Sequence, residues 1–133
     1  LCAGFLGQMT LSGDLDLLSS EQIETVRRYL DFYAKLSPEL RLGGKLRIDC
    51  SSPSRMYPTG RQIVTLETEK EFLQIIHFFE TDVTAEEFAL PAGDWELVDS
   101  VKADSMKLAV ENGKTKVGSI PSFSAAALLF RKK

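Results

Sequence analysis

The chain has 133 residues, one domain's length, and its 44% hydrophobic and 26% charged content is that of an ordinary globular protein able to bury a core. Its formal charge is −3, and neither the first third nor the remainder is basic, which excludes an electrostatic footprint for nucleic acid or an anionic membrane. No apolar run approaches the ~20 residues that span a bilayer. Cys2 and Cys50 have no metal-ligand spacing and are too few for a disulfide framework, so they read as unrelated reduced thiols of a cytoplasmic or otherwise reducing compartment.

In chain order, Leu1–Leu11 reads as an apolar, strand-like run ending in Ser12-Gly13-Asp14-Leu15. The opening LCAGFLGQM lacks the basic flank of a signal peptide. So apolar a start wants a partner to bury against, and it reads as a cut through a larger chain. Ser19 and Gln22 have the spacing of a capping box, with Leu18 and Ile23 placed as a hydrophobic staple. Ile23, Val26, Leu30, Tyr33 and Ala34 follow helical spacing as the expected apolar face, and Arg27, Arg28 and Asp31 take the other. Ser37-Pro38 stops this helix near Leu36 and can open a second short turn, before a break at Leu42-Gly43-Gly44.

Beyond that break the period shortens. Strands are predicted at 45–49, 61–66, 71–80, 87–90, 94–101, 106–110, 114–120 and 125–131, at the spacing of a sandwich or barrel. Asn112-Gly113 marks a two-residue type I′ hairpin. Phe72 to Phe79 is apolar on both faces, as a central covered strand requires. The expected organisation is therefore residues 1–42, a strand and helix, followed by residues 43–133, an antiparallel β-sandwich whose strands supply a two-faced core of their own.

Chemistry-bearing residues are sparse. His77 is the sole histidine, lies inside the apolar strand and has no nucleophile beside it, so it reads as a hydrogen-bonded core residue. Gly43-Gly44-Lys45 fails as a phosphate loop, because Glu39 and Leu46 stand where glycine and a hydroxyl residue belong. Asp14 and Asp16 lack the further acidic spacing of a calcium loop. Trp95 sits in an alternating strand and reads as core rather than as a sugar platform. No carboxylate pair is set by spacing for glycosidic chemistry. The chain thus offers no catalytic residue, metal site or cofactor site of its own.

The segment GQMTLSGDLDLLSSEQIETVRRYLDFYAKL resembles the last strand and last helix of the catalytic barrel in α-galactosidases of glycoside hydrolase family 36. The matching positions are Ser12, Gly13, Asp14, Leu15, Leu18, Ser19, Glu21, Phe32, Tyr33 and Lys35. PTGRQIVTL, FLQIIHFF, FALPAGDWELVD and FSAAALLF are similar, in the same order, to stretches of that family's C-terminal β-domain. The resemblance implies a mainly β fold: a C-terminal sandwich preceded by the final strand and helix of a (β/α)8 barrel. It further implies an intact enzyme that hydrolyses terminal α-galactosides with retention, using two aspartates that no residue here matches. Ser12 and Asp14 would line or brace the substrate pocket at the end of that strand, with Asp14 fixing the turn and Gly13 allowing it. Subunit contacts between copies are a further expectation. The rival reading is a free-standing sandwich that binds carbohydrate or protein and catalyses nothing.

Overall fold

The computed structural model describes residues 1–11, 13–52 and 56–133. Its two helices are α1 (Ser20–Ala34) and α2 (Pro38–Gly43). Eight strands follow: β1 (Lys45–Cys50), β2 (Arg61–Glu67), β3 (Glu71–Phe78), β4 (Ala85–Ala89), β5 (Trp95–Lys102), β6 (Lys107–Glu111), β7 (Lys114–Gly118) and β8 (Ser124–Lys132). They form two antiparallel sheets, ordered β1-β2-β3-β8-β5 and β4-β7-β6. Each of the eight strands predicted from Lys45 onward is present, with its bounds moved by a few residues at most.

Local chemistry accounts for the element ends. The Ser19 hydroxyl accepts from the Gln22 amide, and the Gln22 side chain accepts in return from the Ser19 amide at 2.9 Å, closing the capping box. Ser37 caps α2, with Pro38 in its first turn. That helix stops because the Gly44 amide turns back to the Leu40 carbonyl, where a Cβ would sit 2.5 Å from the same oxygen. Asn112 (φ 51°) and Gly113 (φ 69°) both occupy the left-handed region, as a type I′ turn demands.

Three layers result. β3 is central in the larger sheet and buried along nearly its whole length. Phe72, Ile76 and Phe78 point from it into a core shared with Phe88, Met106, Val117, Leu128 and Phe130, which joins the two sheets. Across this core the Thr115 hydroxyl donates to the Gln74 side-chain oxygen at 2.8 Å, a fully buried polar bridge. Leu73 and Ile75 point the other way, with Val64, Leu66 and Leu129, into a core roofed by Tyr29, Phe32, Leu36 and Leu40. The strands therefore supply only one of the two cores alone. The second needs the helices.

Two expectations are corrected. Residues 1–11 form no strand; Cys2–Leu6 is a 3-10 turn, and no described residue before Lys45 is in a sheet. A strand needs a hydrogen-bonded neighbour, and although Cys2–Leu6 packs against β8, no strand pairs with it. Phe5, fully buried, instead packs among Phe32, Tyr29 and Tyr33, its ring centre 5.0 Å from that of Phe32. The Tyr33 hydroxyl locks the segment there, donating to the Gly7 carbonyl at 2.7 Å and accepting from Arg41 at 3.0 Å. The barrel strand implied by the resemblance is thus not formed.

The second correction concerns α1. The face seated on the sheet is Tyr29 and Phe32, continued by Leu36, whereas Ile23, Leu30 and Ala34 of the predicted face are exposed. At about 100° per residue, Ile23, Leu30 and Ala34 fall within ~20° of one line, and Tyr29 and Phe32 lie roughly 150° away. The helix is apolar on two nearly opposite sides. The sheet takes the aromatic one, which packs toward β5 and shares a buried cluster with its Val101.

Candidate functional site

Of the two residues expected to meet a substrate, Ser12 lies outside the described residues. Asp14 is exposed and precedes a 3-10 turn, Leu15–Leu17. Its carboxylate makes no capping hydrogen bond; the turn is closed by its backbone carbonyl, which accepts from the Leu17 amide at 3.1 Å. Gly13 has φ 104°, the conformation that glycine alone adopts freely, so the turn takes its shape from the backbone. Two shallow depressions, of about 510 and 520 Å³, are built from other residues: Ala85, Ala109 and Gly118 line one, and Lys45, Arg47 and Glu67 the other.

His77 faces the helical layer and is half-buried, but its Nδ1 is buried without a partner among the described residues, contrary to the expected hydrogen bond. Its strand neighbours, Gln62 and Ala125, direct nothing at that atom. Burial holds its pKa below the ordinary histidine value, so the ring is neutral at pH 7. Trp95 packs against Phe72, ring centres 5.9 Å apart, and its indole N–H donates to the Pro91 carbonyl at 3.2 Å. Both its face and its polar edge are occupied, which suits a core residue. Cys2 is buried and Cys50 exposed, both as free thiols, and burial pushes the Cys2 thiol up to about 11.

One cluster escaped sequence reading. Arg61 donates through Nε to Glu86 and through a terminal nitrogen to Asp49 at 3.2 Å, while its guanidinium lies 5.4 Å over the Phe88 ring. It lines a cavity of about 200 Å³ with Ser51, Phe78, Thr81 and Val83. The Glu86 hydrogen bond raises the Arg61 pKa, and two carboxylates already neutralise the cation. The arrangement ties β4 of the smaller sheet to β1 and β2 of the larger one. It leaves little charge for an anionic ligand. No single stretch of sequence signals it, because its members are 12 and 25 residues apart.

What remains is a surface. Ile23 (43% exposed) and Leu30 (37%) stand out from α1, and Leu15 and Leu17 are exposed just before it. Ile23, Leu30 and Ala34 thus place exposed apolar groups on one face of α1. Among the described residues no helix is long and apolar enough to cross a membrane, and no group of three His, Cys, Asp or Glu side chains is disposed to hold a metal ion.

The fold and this surface define a mainly β domain of two antiparallel sheets with a helical layer over one of them. No family model and no curated protein matches the chain. Among solved structures it is similar to an alpha-amylase from H. orenii, at 17% identity and a TM-score of 0.49. That match covers 88% of this chain and 23% of the amylase, so the chain spans about a quarter of that protein's length.

Proposed function

We propose that this chain is the C-terminal portion of an α-galactosidase-like glycoside hydrolase, and that it is structural rather than catalytic. The observation that carries the reading is the double-sided α1: its aromatic side roofs the larger sheet, and its Ile23–Leu30–Ala34 side is free to seat against a catalytic barrel. The order of the Ser-Gly-Asp-Leu junction and the four strand motifs supports the same identity. In the intact enzyme two barrel aspartates would perform the retaining hydrolysis of a terminal α-galactoside, and Ser12 and Asp14 would line or brace that pocket. The unpaired thiols fit a cytoplasmic enzyme. The rival reading, a free-standing carbohydrate-binding sandwich, is weakened by Trp95, whose ring and N–H are both already used.

The test is differential. In the 133-residue chain, Leu30→Lys should lower the melting temperature by less than ~5 °C, and aryl α-galactoside hydrolysis should be absent with or without it. In the product of the complete reading frame, the same substitution should lower both melting temperature and α-galactosidase activity. A reading frame that starts directly before Leu1, or turnover by the isolated chain, would overturn the proposal.

A further inference from the structure

The larger sheet has two edges that are finished differently. β5 is interrupted by a bulge between Leu97 and Asp99, and Lys35 of the helical layer holds Asp99 at 2.5 Å. Such interruptions block strand addition. β1 has neither. It pairs with β2 without irregularity from Lys45 to Cys50, and all six of its residues are exposed. Leu46 (54% exposed) and Ile48 (59%) pair with Leu66 and Val64, so they extend the helix-side apolar face beyond the reach of the helices.

Hydrogen-bond alternation fixes which groups stand open. The Ser51 amide donates to the Arg61 carbonyl, so the odd-numbered residues of β1 turn their backbone groups to β2. Leu46, Ile48 and Cys50 therefore present theirs to the open edge. An antiparallel strand laid there must match two things: apolar residues opposite these three, and charges opposite Arg47 and Asp49. β1 itself does both. With Ile48 facing Ile48 of a second copy, Leu46 faces Cys50 and Arg47 faces Asp49 on each side of the two-fold axis. Shifting by two residues puts Arg47 on Arg47 or Asp49 on Asp49, and like charges directly opposite are unfavourable. In the matched register Arg47 and Asp49 meet as the closer, non-hydrogen-bonded pairs. Since Arg47 also holds Glu67 and Asp49 also holds Arg61, both at 3.2 Å, the signs alternate across the whole joint.

We propose that β1 is a homodimerisation strand, pairing antiparallel with β1 of a second copy about Ile48 to make one continuous ten-stranded sheet from the two five-stranded ones. The other candidate, β6, has Lys107 and Glu111 suitably spaced, but its Leu108 and Val110 are turned into the core between the sheets and leave no apolar face to bury. The joint is smaller than the ~1,600 Å² of a standard interface, so the dimer dissociates at roughly micromolar to millimolar concentration.

Sedimentation velocity of the 133-residue chain tests this. The parent should pass from monomer to dimer as concentration rises. Ile48→Lys, an exposed position, should fold as the parent does and weaken association at least ~10-fold, because two ammonium groups then face each other. Arg47→Asp and Asp49→Arg should each lose self-association. An equimolar mixture of these two should regain it, since their strands are complementary only to one another. A parent that stays monomeric throughout, or a dimer indifferent to Ile48→Lys, overturns the proposal. So does a mixture of the two folded charge variants that fails to associate, because the register is then wrong.

Discussion

Replacing Phe32 and Leu30 by alanine, one at a time, measures which side of α1 is attached to the sheet. Phe32 is 1% exposed and sits between the Phe5 ring and the core that contains Leu73, Ile75 and Leu129. Truncating a fully buried phenylalanine costs about 3–5 kcal/mol, the transfer energy of the ring plus the cavity left behind. Losing its contact with Phe5 accounts for ~0.5–1.5 kcal/mol within that figure. Leu30 lies two residues away, is 37% exposed and has water on one side, so no closed cavity forms when it is shortened. Its loss should cost about 1 kcal/mol or less, since only part of its apolar surface is removed from water to begin with. For a chain of this size 1 kcal/mol moves the melting temperature by roughly 3–5 °C. Thermal melts followed by circular dichroism should therefore drop by about 10–20 °C for Phe32→Ala and by less than ~5 °C for Leu30→Ala. Equal losses, or a larger one for Leu30→Ala, would refute the orientation of the helix and the two-sided argument built on it.

Gln74→Leu alone should destabilise by about 1–3 kcal/mol because it strands the buried Thr115 hydroxyl, whereas Gln74→Leu with Thr115→Val should recover most of that loss in denaturant melts. A chain beginning at Gly43 exposes Val64, Leu73, Ile75 and Leu129, so it should aggregate or melt without cooperativity, as calorimetry will show. In the folded protein one thiol, Cys50, should react promptly with a disulfide reagent at pH 8, and the second only after unfolding. Cys2 titrates near 11 when folded and 9.0 otherwise, so it stays protonated longer in the native state. Its contribution to stability is complete below pH 9 and lost as the pH rises through about 11, and Cys2→Ala should flatten that alkaline limb of the melting profile.

The sequence by itself determined what nearest neighbours decide. Ser19 with Gln22, Ser37 with Pro38, and Asn112 with Gly113 each settle a helix start or a turn within four residues, and the structure has all three where their spacing puts them. The eight strands were legible for a similar reason, because alternation and turn residues act over the length of one strand. Residues far apart in the chain decided the rest. α1 is apolar on two sides, and nothing local says which one the sheet will choose; the apolar face of the sheet chose it, with Val101 of β5 some 70 residues away. Leu1–Leu11 has the composition of a strand, yet strand formation depends on a neighbour to exchange hydrogen bonds, and here the Tyr33 hydroxyl and the aromatic rings of α1 hold the segment instead. Arg61 lies in β2 with its carboxylates on β1 and β4, a cluster that exists only once two sheets are stacked. Local patterns specify elements because their energies are local; faces, partners and clusters depend on contacts that exist only after the chain has folded.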